Sequence, residues 1–326
     1  MKQENFADME YAQRRHSTKR EAFLEKMDAI VPWAAWVSEV VPYYPDGKRG
    51  RRPIEIERML RMIMLQSWFN LSDEGIEDAI YDSYAMKSFM GIDFLAGEQV
   101  PDATTLCKFR KLLTTNDLQK KFFDQVEKLL VKEGKLVTGG TIVDATIIEA
   151  PNSTRNKDKA RDPEMHSVKK GTKWYYGMRL HIGVDPLYGF VHTAVSTSAN
   201  VAECKTAPQL LRPDDKVVYG DAAYLKMDRY VKDGIDREYR INRQVGTFKR
   251  HYRDGLAWQM EKEIEKQKSG MRWKVEYIFH ILKDIFHWRK ARYKGIHKNE
   301  CYANFLLASA NLFVLADMKT QKLCTN

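Results

Sequence analysis

Cysteine is sparse: Cys107, Cys204, Cys301 and Cys324 lie far apart in 326 residues, with no C-x2-C pair. That spacing carries no signature of a zinc site or a disulfide framework, and it fits reduced cytosolic thiols. The opening Met-Lys-Gln-Glu-Asn-Phe-Ala-Asp-Met-Glu lacks an apolar stretch, so an ordinary secretory signal is not expected. Long hydrophobic runs are missing too. The most apolar tail segment, Phe305 to Ala316, is too short to span a bilayer and contains Asn311, so a buried final helix is expected and no membrane partner. Absence of a P-loop, a dinucleotide fingerprint and an H-E-x-x-H motif leaves ATP and zinc hydrolysis without support. Internal repeats and long low-complexity tracts are also absent.

Cations, by contrast, are in excess. Fifty-four Lys and Arg against 44 Asp and Glu give a net charge of +10 and a pI near 9.2. The distribution says more than the total. Between Lys266 and Lys298 stand ten cations and two acids; between Arg155 and Arg179, eight cations and three acids. A solvated basic face explains such runs, and so does a phosphate-binding surface with salt-sensitive affinity.

Three acids stand out against this background. Thr141-Ile-Val-Asp144-Ala-Thr-Ile-Ile148 is a β-branched run broken by one carboxylate, and it reads as a strand buried on both faces. A charge buried in mid-strand must be paired or coordinate a metal. Lys216-Val-Val-Tyr-Gly220 reads as a short strand running directly into Asp221, where open α/β sheets place their sites. A satisfied core acid at Asp144 and a helix N-cap at Asp221 are equally good readings of either residue alone. The third acid, Glu276, sits in Arg272-Trp-Lys-Val-Glu276-Tyr-Ile-Phe-His-Ile-Leu-Lys283. At roughly 100° per residue, Glu276 and Lys283 fall within about 40° of Arg272, so one carboxylate is flanked by two cations on one helix face. Glu149 and Asp185 are the rival acids. Strict alternation puts Glu149 on the opposite sheet face from Asp144, and the turn at Pro186 accounts for Asp185.

The expected order of elements is β-β-β-α-β-α-β-α. Strands fall at about 140–149, 176–184, 189–197, 216–220 and 236–242, helices at 203–211 and 223–233, and a long helix begins near 258. This layout resembles the ribonuclease-H-like fold of polynucleotidyl transferases: an α/β domain with a mixed five-stranded sheet flanked by helices, here preceded by an all-α N-terminal domain. The resemblance narrows to the DDE transposases of bacterial insertion sequences, in the group named after insertion sequence five. Thr141 to Pro151 looks like their first-Asp segment, Lys173 to Asp185 like their second strand, and Gly220-Asp221-Ala-Ala-Tyr224 like their second-Asp turn. Arg272, Glu276 and Lys283 match the Arg-x3-Glu-x6-Lys signature, although Ser269 stands where that signature often has Tyr. The segments Arg292–Asn299 and Ala308–Leu312 are also similar, and so is the stretch from Arg51 to Leu112.

The resemblance implies Asp144, Asp221 and Glu276 as catalytic metal ligands, with Mg²⁺ as cofactor and Mn²⁺ able to substitute. It implies two-metal nicking of double-stranded DNA at terminal inverted repeats, then joining of the 3′-OH ends to target DNA by a homodimer or higher synaptic assembly. A bacterial cytoplasmic, nucleoid-associated enzyme is expected. A nuclease of the same fold without strand transfer, and a catalytically inactive DNA-binding descendant, remain as alternatives. Arg272, Lys283, Lys173, Arg179, Arg289, Lys290, Arg292, Lys294, Lys108 and Arg110 are the candidate DNA contacts, whereas His181 reads as a packing residue. Trp174, Trp258 and Trp288 suit either base stacking or a core.

Domain boundaries are expected at 1–50 (a helical and basic arm), 51–134 (a helical, DNA-binding domain) and 135–326 (the catalytic domain). Within the first two, helices are expected from Pro53, over 72–89, over 102–113 and over 115–133, with a basic linker at 43–52. The helix beginning at Asp102 suits a DNA groove, with small residues in its first turn and cations behind, or an ordinary place in a bundle. Trp33 and Trp36 mark a helix that packs on the body or on a second protomer.

Overall fold

The computed structural model describes residues 13–47, 52–157, 159–243 and 255–324. Lys48 to Arg51, the centre of the expected basic linker, lie outside the described residues.

Helices α1 (Lys19–Ile30) and α2 (Trp33–Val40) open the chain. Thr18 and Glu21 form a capping box that starts α1. Trp36 is fully buried and stacks on Phe122 at 4.7 Å, so this segment packs on the body of the same chain. Next comes α3 (Ile56–Trp68), which begins after Glu55 and not at Pro53. Buried almost all round, it is the central helix of the bundle. The single helix expected over 72–89 is two, α4 (Asp73–Asp82) and α5 (Tyr84–Met90). Ser83 divides them because it is extended, and its hydroxyl accepts from the Met86 N–H to start α5. Helices α6 (Ala103–Thr115) and α7 (Leu118–Lys132) complete the bundle.

The sheet has six strands where five were expected: β1 (Gly140–Glu149), β2 (His166–Lys170), β3 (Lys173–Val184), β4 (Val191–Ser198), β5 (Val217–Gly220) and β6 (Glu238–Ile241). The extra strand, β2, forms a hairpin with the first half of β3, while β4 pairs with the second half. Its residues are mostly exposed and basic, so no apolar alternation announced it. β1 and β3 are antiparallel, whereas β1–β5 and β5–β6 are parallel. Helix α8 (Glu203–Leu210) links β4 to β5. Where a helix was expected at 223–233 there are two short 3-10 turns, Ala222–Tyr224 and Met227–Arg229. Lys226, left-handed at φ 69°, interrupts the run, and Tyr224 and Met227 anchor it in a small core with Val143, Ala207, Leu210 and Val218.

Helix α9 (Leu256–His280) runs on into a π-helical turn, Ile281–Ile285, closed by the Phe286 N–H on the Ile281 carbonyl. Helix α10 (Ile296–Cys324) ends the described chain. It is much longer than the apolar segment suggests. Its stretch Ile296–Thr320 is long and apolar enough to cross a bilayer, but 83% of the most apolar window is buried inside the fold. Asn311 on α10 pairs with both backbone groups of Val191 on β4, at 2.9 and 2.8 Å. One continuous apolar cluster, from Leu24 to Leu315, joins the N-terminal helices, the α9 face of the sheet and α10.

Candidate active site

β5 pairs with β1 only as far as Ile142 opposite Tyr219, so between Ile142 and the bridge at Glu149 that edge of β1 is open. Asp144 sits at this opening. Its carboxylate accepts the Ala145 N–H at 2.8 Å, a backbone donor that no neighbouring strand takes up. β5 ends there and delivers Asp221, whose carboxylate accepts the Ala223 N–H at 2.9 Å and starts the first 3-10 turn. Asp221 thus caps a 3-10 turn, not the expected helix, and stands where β5 ends. β4 runs parallel to β1, both being antiparallel to β3, so the residues after β4 emerge at the same end of the sheet as Asp221. Glu203, in the first turn of α8, arrives this way. Carboxylate oxygens of Asp144, Glu203 and Asp221 lie within 4.8 Å of one another.

Sequence reasoning missed Glu203, because an acid in a first helical turn needs no explanation beyond the helix dipole. Strand order was the signal available for it. The parallel course of β1 and β4, the first and third of the expected strands, puts the start of α8 beside the end of β5.

α9 lies across the sheet and brings its cationic stripe to β1. Arg272 donates to Asp144 at 2.9 Å, with both side chains largely buried. Lys283, in the π turn, donates to Thr146, two residues along the same strand face. Glu276 shares this helix face but is exposed and is not among the three clustered carboxylates. Its charge is felt at Arg272, as are those of Asp144 and Asp221.

The electrostatics are those of a crowded acid site. Burial raises the Asp144 pKa, with Arg272 opposing and Asp221 adding to the rise. Glu203 is pushed up to about 7, first by burial and further by the charges of Asp221 and Asp144, against the pull of Arg179. Burial lowers the Lys283 pKa, and the nearby Lys170 and Arg289 lower it further. Those two neighbours place the β2–β3 hairpin and the segment after the π turn on the same basic rim.

Several of the other candidate contacts are committed to the protein itself. Arg179 faces inward, bound to Glu203 at 3.1 Å and to the Val201 carbonyl at 2.9 Å. Arg292 ties the tail to Asn70 and Leu71. Arg110 makes a two-pronged bond to Asp73 at 2.6 and 2.7 Å and packs against the Tyr293 ring. It thus holds α6 to the start of α4. Arg110→Ala is expected to cost about 2 kcal/mol of stability while leaving DNA affinity within about twofold; chemical denaturation and a binding titration check the two halves.

Lys108, Lys173, Lys290 and Lys294 are exposed, and so is Arg289, which pairs with Asp284. The Lys290 backbone bridges to Glu149, whose own side chain points to solvent. Asp185 caps its turn by accepting from the N–H groups of Leu187, Tyr188 and Gly189. His181 is buried between Thr197 and Thr206, and burial takes its pKa down to about 3. Trp288 is in the core, whereas Trp174 is exposed at the β2–β3 hairpin. A separate group, Asp117, His297 and Cys301, links the start of α7 to α10 through contacts of 3.6 to 3.8 Å. His297 and Cys301 meet as an i,i+4 pair on α10, and the fold adds Asp117 to them.

An all-oxygen donor set suits a hard divalent cation. Two buried polar atoms in the crevice have no hydrogen-bond partner, the Tyr224 hydroxyl and Arg272 Nε, so the pocket is built for more than its own side chains satisfy. Comparison with known families bears on this geometry. A sequence model described as a transposase DDE domain matches residues 136–312, and one described simply as a transposase domain matches residues 12–112.

Proposed function

The chain belongs to the DDE transposases, of the insertion-sequence-five type and hence DNA-cutting and DNA-transferring enzymes, and we propose that it nicks the terminal inverted repeats of its element and joins the freed 3′-OH ends to target DNA. The observation that carries this reading is the carboxylate crevice at the open edge of β1, roofed by Arg272 and Lys283 from a single helix.

DDE domains use divalent metals, and Mg²⁺, with Mn²⁺ as substitute, is the cofactor proposed here. Asp144 and Asp221 would hold it, with Glu276 reaching down from α9. When bound, two such cations supply the charge that activates water or a 3′-OH and stabilises the departing 3′ oxygen. The side chains do the rest. Arg272 is anchored on Asp144 and its Nε is buried without a partner, so its remaining N–H groups would be free to donate to a scissile phosphate entering the crevice. Lys283 is held over Thr146 by the π turn, and its pKa is depressed first by burial and further by the neighbouring cations Lys170 and Arg289. Such a rim binds a polyanion and brings its own charge into play once phosphates replace water. Lys173, Lys290, Lys294 and Lys108 extend the basic surface outward, and the helices of 51–134 are the proposed end-recognition part. Synapsis of two ends calls for a dimer or larger assembly, and the substrate places the enzyme at the bacterial nucleoid.

The test uses labelled duplexes carrying the element's own ends, incubated with Mg²⁺ or with EDTA. Nicks at the repeat termini, followed by joined products, are expected with Mg²⁺ only. Nicking without any joined product would favour a nuclease, and metal-independent cleavage would overturn the site.

A further inference from the structure

We propose that Glu203 is itself a ligand of the metal centre, standing with Asp144 and Asp221, and that Arg179 neutralises it while no cation is bound. This rests on the metal-dependent reading above. Oxygens within 4.8 Å of one another need close by little more than a side-chain rotation to share a cation at about 2.1 Å. Glu203 is also the better fixed of the two acids that could complete the set. It stands on the first turn of α8, and Ala207 and Leu210 of that helix are fully buried in the core shared with Val143 and Val218. Its side chain is 16% exposed, whereas Glu276 faces solvent.

The second observation is Tyr224. Its ring is fully buried, its hydroxyl has no partner, and it feels the charges of Glu203, Asp144 and Asp221 together. A buried donor left unsatisfied beside three acids points to a group that the protein does not supply, such as a cation's water or a phosphate oxygen. Arg179 explains how the acids tolerate one another meanwhile. It neutralises Glu203 from the side, and the Val201 carbonyl fixes its position.

Mn²⁺ binding to the DNA-free protein, followed by calorimetry and electron paramagnetic resonance, tests the proposal without any reliance on activity. Glu203→Gln is isosteric and is expected to weaken Mn²⁺ binding by at least about tenfold, the lower bound for residues that merely support a ligand. Glu203→Asp should recover part of the loss. Arg179→Gln separates ligand from scaffold. It removes a competing cation, so binding should stay equal or tighten, and a loss matching that of Glu203→Gln would overturn the proposal. A Glu203→Gln isotherm that superimposes on wild type, with Asp221→Asn weakened, also overturns it and leaves the metal centre standing. Should both variants superimpose, the metal reading itself falls.

Discussion

Asp221→Asn is expected to cripple metal-dependent nicking while the protein stays folded and bound to its DNA ends. Asparagine keeps the side-chain oxygen that accepts the Ala223 N–H, so the turn after β5 retains its cap. Only the charge is lost. Removing one hard anionic ligand from the crevice should cut cleavage by on the order of 10³-fold, or about 4 kcal/mol of transition-state stabilisation. Thermal midpoint and end-binding affinity should both stay near wild type, the latter because Asp221 repels phosphate and does not grip it. Asp144→Asn is the less clean experiment. It would leave Arg272 largely buried without its anionic partner, mixing a folding defect with a catalytic one. Wild-type cleavage by Asp221→Asn would remove the crevice from the mechanism.

Glu276→Gln carries the second large effect, and its outcome divides two versions of the site. Because Glu276 is exposed, the substitution should change stability by less than about 0.5 kcal/mol. Arg272 and Lys283, which flank it on one helix face, both reach β1, so a small shift on DNA binding would bring Glu276 to the same strand. If it completes the metal set when DNA is bound, single-turnover cleavage should fall by on the order of 10²-fold or more with end binding unchanged. Full cleavage by Glu276→Gln, together with failure of Glu203→Gln, would make Glu203 the third acid of the centre. Loss in both variants would describe a four-carboxylate site, with Glu203 built in and Glu276 recruited by substrate.

Much of this was legible in the chain. The β-branched run around Asp144 and the short strand ending at Asp221 carried their own patterns, because a buried strand and a strand-end acid are local features. Periodicity likewise marked the Arg272–Glu276–Lys283 stripe as one helix face. Three features escaped for physical reasons. β2 is polar and exposed, so its pairing depends on the neighbouring hairpin strand and not on its own composition. The expected helix at 223–233 gave way because Tyr224 and Met227 are buried by tertiary contacts that two tight turns satisfy better. Arg179 and Arg110 read as available cations in a linear chain, yet each is consumed by an acid far away in sequence.

The sequence alone therefore determined most of the strands and helices, the basic balance, the family resemblance and the pairing of Asp144 with Asp221 as candidates. Each is written in short-range pattern or in residue identity. Tertiary structure decided which charges meet. Glu203 enters the crevice because β4 and β5 run parallel to β1 and finish at the same end of the sheet, and Arg272 reaches Asp144 because α9 packs across that strand. A carboxylate's partners are set by distance in space, and no local pattern in the chain records that.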